Sequence, residues 1–318
     1  MPIRWTRCTP SPLIRLIALL LLVALLAACK REPEPIPGAP QEPVAAVEAL
    51  AGALREGDLK RYSELSLPPA MRAQKAELWR RQVAAAPAID AEKVQRFNAM
   101  MAMLTAPDAE AVLWAKAEPR LAAMQQELGP KWTMGVTMLS GFATTAIAAN
   151  PTLSEAEKAH ATGVVEAFAG WAGDQAQFTD EARARQAIAA AVRTAREIDL
   201  PSFDAARALE YDALLEKGGV AFRGAKLIAA AYGVDADAAL SQVQAEVVEL
   251  EGDRAVVRVR YPLFGREVRF EQPMLRIDGG WYREDAVQGL ERALAEEAAA
   301  RGEPPIAAGD APAPALSL

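Results

Sequence analysis

The sequence predicts an α+β protein, with a predominantly helical domain followed by a small C-terminal antiparallel sheet and a closing helix. Three observations carry this reading. Apolar residues recur every three or four positions from Val44 to about Gln242, which marks one helix after another. From Val243 the period drops to two: Ala255, Val257, Val259 and Tyr261 alternate with Arg254, Val256, Arg258 and Arg260. Helical spacing returns from Glu284 to Arg301 through Val287, Leu290 and Leu294.

The chain opens on an export signal, residues 1–28. Arg4, Arg7 and Arg15 give a positive start, and Leu16 to Leu26 is an apolar run (LIALLLLVALL). Such a run is too short to span a bilayer, which needs ~20 residues, but suits the core of a signal peptide. Leu26-Ala27-Ala28-Cys29 follows at once. This resembles the lipobox of bacterial lipoproteins. The resemblance implies cleavage before Cys29, a lipid on its sulfur and acyl chains such as palmitate that anchor it to a membrane. Cleavage would remove 28 of 318 residues and three arginines, taking the formal charge from −7 to −10. Cys8 would be lost and Cys29 spent on lipid, so no cysteine nucleophile would be left. For a Gram-negative host, the resemblance further implies, from Lys30 rather than aspartate after the cysteine, the periplasmic face of the outer membrane.

Residues 29–43 read as a tether held extended by Pro33, Pro35, Pro37, Pro40 and Pro43. The helical region, 44–242, starts with Val44, Val47, Leu50 and Leu54 on one face, closed by Gly57-Asp58. Leu67-Pro68-Pro69 opens the next helix. Asp90 and Asp108 read as N-caps, Thr152–Glu155 (TLSE) as a capping box, and Thr179-Asp180 and Pro201-Ser202 as further starts. Trp132 to Ala149 is the most apolar stretch after the signal and is expected to be a helix buried on all sides. The competing reading has it lying in or on a membrane. Gly218-Gly219 is expected to break the last long helix.

In the meander, 243–301, Gly252-Asp253 joins two strands. Glu267–Glu271 and Met274–Ile277 read as two strands, or as one interrupted by Pro273. Asp278-Gly279-Gly280 turns into Trp281-Tyr282. Residues 302–318 are expected to be a disordered tail rich in proline, alanine and glycine. The opening AVEALAGALREGDLKRYSEL and the closing strand, GD-turn, strand, D-G-x-W pattern resemble the ends of a cystatin-like or NTF2-like domain. That resemblance implies a curved sheet wrapping a helix, often around a pocket. It implies no catalytic residue.

The acidic balance argues against nucleic acid as a partner. One histidine, His160, and two cysteines exclude the usual zinc sites and most histidine triads, and a lone histidine on a helix reads as a partly buried residue. No phosphate-cradling glycine loop and no G-x-S-x-G occur. No catalytic, cofactor-binding or metal residue is therefore assigned, and no cofactor. Glu284-Asp285 reads as two acids favouring a helix N-terminus. The arginine row Arg254, Arg258, Arg260, Arg266 and Arg269 reads as a solvated sheet face. The expected function is a non-enzymatic binding or scaffolding lipoprotein, with the membrane and an envelope protein as partners. The alternative is an envelope enzyme or small-ligand binder with a pocket on the sheet. The candidate surface is Tyr261, Trp281, Tyr282, Arg258 and Arg260.

Overall fold

A computed structural model describes residues 38–128, 131–173 and 176–302. The export signal, Cys29, most of the tether and the tail beyond Gly302 lie outside the described residues. The fold is α+β. The helices are α1 (Pro43–Glu56), α2 (Leu59–Ser66), α3 (Pro69–Ala85), α4 (Ala91–Thr105), α5 (Ala109–Leu128), α6 (Trp132–Ala149) and α7 (Glu155–Trp171). They continue with α8 (Ala176–Thr179), α9 (Glu181–Ile198), α10 (Phe203–Arg207), α11 (Tyr211–Ala231) and α12 (Ala236–Ser241). Strands β1 (Gln244–Glu251), β2 (Arg254–Leu263), β3 (Arg266–Ile277) and β4 (Gly280–Arg283) form an antiparallel meander in chain order, and α13 (Glu284–Ala300) closes the chain.

Local chemistry sets most boundaries. Gly57, at φ 71°, ends α1 in the left-handed region, and Asp58 caps α2 by accepting from Arg61 N. Pro69 takes the first turn of α3, where a missing N–H costs nothing. Asp90, Asp180 and Ser202 cap α4, α9 and α10 as expected. The capping box lies two residues beyond the expected TLSE. Ser154 and Glu157 form it, while Thr152 bonds the Asn150 side chain. Asp278 and Gly279, at φ 50° and 78°, make the two-residue turn into β4.

The sheet is covered on both faces at its β4 end. Ala46 and Val47 of α1 pack on Ala255, Val257, Val259, Met274 and Trp281. On the opposite face Leu275, Ile277 and Tyr282 meet Leu67, Leu78, Val287 and Leu290. Helix α7 lies along β3, with Gly163 facing Val268. Glu267–Glu271 and Met274–Ile277 belong to the single strand β3. Pro273 sits one residue beyond the last β4 partner, where β3 has an open edge.

Two expectations are corrected. Gly218-Gly219 does not break a helix but sits inside α11. A Cβ on Gly219 would lie 2.6 Å from Gly57 O, so glycine lets α11 pass against the α1–α2 turn. Helix α6 forms as expected, but none of its residues is buried. It packs along α7, with the Trp132 indole N–H donating to Ala172 O at 2.6 Å. Its outward face is uncovered: Met134, Met138, Leu139 and Phe142 are 62–69% exposed. Apolar composition all round does not bury a helix when the described residues cover only one side of it. No helix among the described residues is long and apolar enough to cross a membrane.

Gly219→Ala should destabilise the fold by about 1–3 kcal/mol through overpacking, despite alanine's better helix propensity. Urea unfolding checks this, and an unchanged or higher midpoint would show that the α11 contact has room to give.

Candidate functional site

Alternation along the strands decides what points inward. The register pairs Val259 with Phe270, Val257 with Gln272, and Met274 with Arg283, so these side chains share the face that carries α1. Val47, Leu50, Ala51 and Leu54 face them at helical spacing. Between them lies a cavity of about 210 Å³, roofed by Ala156, Glu157 and His160 of α7 and bounded by Tyr62, Leu240 and Val243. Its wall is mainly apolar, and the polar groups gather in two places.

The first is His160. Its Nε2 lies 2.6 Å from Tyr261 Oη, and its ring stacks on Phe270 at 4.1 Å between centroids. Burial, then the charge of Arg283, push the imidazole below its ordinary value of 6.5. Burial pushes the Tyr261 phenol up to about 12. At neutral pH the pair is therefore a neutral imidazole hydrogen-bonded to a neutral phenol, with the direction of the bond set by the imidazole tautomer.

The second is Arg283. Its Nε and Nη2 grip both carboxylate oxygens of Asp285, and Nη1 donates to the Tyr62 hydroxyl. Glu157 Oε1 lies 3.5 Å from Nη2. Burial opposes the Arg283 charge, but Tyr62, Asp285 and Glu157 outweigh it and hold its pKa above the ordinary arginine value. Burial likewise works against the Asp285 charge, yet Arg283, Glu157 and Gln272 keep this carboxyl below the usual range. Gln272, only 7% exposed, donates to Asp285 Oδ1 at 3.0 Å and to Pro273 O at 3.1 Å. Its carbonyl oxygen accepts from no donor among the described residues.

The structure divides the five sequence-proposed residues. Tyr261 lines the cavity. Trp281 and Tyr282 are neighbours on a strand, so they point to opposite faces, and both faces are packed: Trp281 is 4% and Tyr282 1% exposed. Neither contributes to an open surface. Arg258 and Arg260 point away from α1, into a wide surface groove of about 710 Å³. There Arg258 bridges Glu271 at 3.0 Å and Glu246 at 3.5 Å, and Arg260 reaches Glu246 at 4.0 Å. Glu284, expected at a helix N-terminus, opens α13 and lies 3.7 Å from Arg254. Asp285 turns inward instead. Sequence reasoning missed Tyr62, Glu157, His160, Phe270, Gln272 and Arg283 as one group. The legible signal was Gln272, a polar residue in the inward row Val268, Phe270, Met274.

The arrangement offers hydrogen bonds and shape. The carboxylate of Asp285 is locked by Arg283 and Gln272, and neutral His160 is the exchangeable base. Among the described residues no group of three or more histidine, cysteine, aspartate or glutamate side chains is placed to hold a metal. Compared with known protein families, curated proteins and solved structures, the chain has no match.

Asp285→Ala should cost about 3–5 kcal/mol, because it strands the buried Arg283 charge. A chemical-denaturation loss under about 1 kcal/mol would mean that Glu157 and Tyr62 hold the guanidinium by themselves. His160 makes stability pH-dependent with a defined sign. Its folded pKa is depressed, so the unfolded chain takes up a proton that the folded chain refuses. Its contribution is full above 6.5 and is lost as pH falls toward the folded value. His160→Gln should flatten the stability profile between about pH 7 and pH 5, a range above the titration of Asp285. Parallel wild-type and variant profiles would count against a depressed imidazole.

Proposed function

We propose that this chain is a lipid-anchored protein of the cell envelope, on the periplasmic face of the outer membrane, and that it binds a small, mainly apolar ligand. The anchor rests on the order of positive start, apolar core and Leu26-Ala27-Ala28-Cys29. The binding role rests on one observation: the cavity beneath α1 and α7, with an apolar wall and polar groups at fixed positions. The placing of α1 across β1, β2 and β4 supports the cystatin-like or NTF2-like reading of the chain ends. Binding is preferred to catalysis because the ionisable groups His160, Tyr261 and Arg283 at the cavity are already engaged with other side chains. His160 bonds Tyr261, and Arg283 bonds Asp285 and Tyr62.

A second reading, scaffolding, is favoured by the outward face of α6, where Met134, Met138, Leu139 and Phe142 leave an apolar stripe uncovered.

Two measurements test the main reading. Cys29→Ser should shift the protein from the membrane to the soluble fraction of the envelope, and unchanged membrane retention would rule out the lipobox. In saturation-transfer NMR on detergent-solubilised protein, toluene should bind, and Ala51→Leu, which fills the cavity from α1, should weaken that binding at least fivefold. Toluene signals that ignore Ala51→Leu would place binding elsewhere.

A further inference from the structure

The polar inventory of the cavity narrows what it takes. A closed apolar cavity of about 150 Å³ holds one benzene ring. At about 210 Å³ this cavity has room for one ring, or a branched aliphatic group of that size, with a short substituent. Val47, Leu50, Leu54, Val259 and Phe270 supply the apolar contact.

The substituent meets the Gln272 end. Both N–H groups of Gln272 are spent on Asp285 and Pro273, which fixes the amide with its carbonyl oxygen as an unspent acceptor. Gln272 is 7% exposed and lines the cavity, so a ligand bound there can supply the partner for that oxygen. The Tyr62 oxygen accepts from Arg283, which leaves its own proton free to donate. One unspent acceptor and one unspent donor complement a hydroxyl group. Charge is disfavoured in either sign. The Arg283 cation is taken up by Asp285, and Glu157 lines the cavity beside it, so an anionic ligand finds no spare positive charge and faces the Glu157 carboxylate. A cationic ligand faces the buried guanidinium, and desolvating either ion without a partner is costly.

We infer that the cavity selects an uncharged alcohol or phenol with a single ring or a comparably compact apolar body, its hydroxyl donating to Gln272 Oε1. This rests on the cavity being a binding site, and the test separates the two claims. Toluene, benzyl alcohol, benzoate and benzylammonium share one ring and differ in the substituent. Their dissociation constants would be measured by calorimetry on the full-length, detergent-solubilised protein. Benzyl alcohol should bind about threefold to tenfold tighter than toluene, the worth of one net hydrogen bond. Benzoate and benzylammonium should each bind at least tenfold weaker than the alcohol. Gln272→Leu should erase the alcohol's advantage while toluene still binds. Gln272→Met serves the same purpose if the leucine variant does not fold. An ion that binds as tightly as the alcohol, or an advantage that survives loss of the Gln272 amide, overturns the inference while toluene binding keeps the pocket. If neither toluene nor benzyl alcohol binds, the pocket reading falls and the inference falls with it.

Discussion

The buried ion pair between Arg283 and Asp285 is the constraint around which the rest is arranged. Two residues apart, they join the end of β4 to the start of α13. The same guanidinium reaches Tyr62 on α2 and Glu157 on α7, and the same carboxylate holds Gln272 on β3. Burying two ions costs several kcal/mol each, and such a pair is tolerated only when each member is well satisfied. Here the Arg283 side chain is 18% and that of Asp285 4% exposed, and between them they have partners on three other elements. The pair's main effect is therefore on position. It fixes α2, α7 and β3 relative to the β4–α13 corner, because moving any of them leaves a buried polar group without a partner.

The cavity follows from that corner. Helix α1 crosses the inward face of the sheet and fills it well over Ala255, Val257 and Trp281. Further along, the inward positions of β3 and β4 are Gln272 and Arg283 instead of aliphatic side chains, and their hydrogen bonds keep them directed at Asp285 and Tyr62. Helix α7 covers the remainder but meets it with the flat ring of His160 stacked on Phe270. Planar and hydrogen-bonded groups cannot rearrange to close the space as leucines would, because each is held by a partner. The same geometry that satisfies the polar groups keeps about 210 Å³ from being packed.

Much of the fold was legible because it rests on local chemistry. Strand alternation from Arg254 to Tyr261 placed Tyr261 on the inward face, and glycines and caps at Gly57, Asp58, Asp90, Asp180 and Ser202 marked helix ends. The site was less legible because it is made of contacts between distant residues. His160 and Tyr261 are 101 positions apart, and Tyr62 and Arg283 are 221. Nothing local to a lone helical histidine reveals a phenol across the cavity. Trp281 and Tyr282 read together as part of one candidate surface, yet strand geometry sends them to opposite faces and both faces are covered. Helix α6 shows the converse. Its composition asks for burial, but burial depends on what the remaining chain leaves to cover it.

A site of this kind also suits the proposed anchor. In that reading the proline-rich segment 29–43, at about 3.1 Å per residue, would keep the start of the folded domain at Pro43 within roughly 40 Å of the bilayer. Compact apolar alcohols partition toward a bilayer, and a pocket held there meets them at a higher local concentration than one diffusing freely. A modest affinity is then enough for occupancy. Occupancy in turn stabilises the fold by mass action, by about 2.7 kcal/mol when the ligand stands at a hundred times its dissociation constant. In the proposed reading that gain would fall on the elements around the cavity: α1, held on the sheet by Ala46 and Val47, and α7 and β3, joined by the Arg283 corner. A ligand in this cavity would act on elements that the ion pair also joins, so the proposed reading links binding to fold stability.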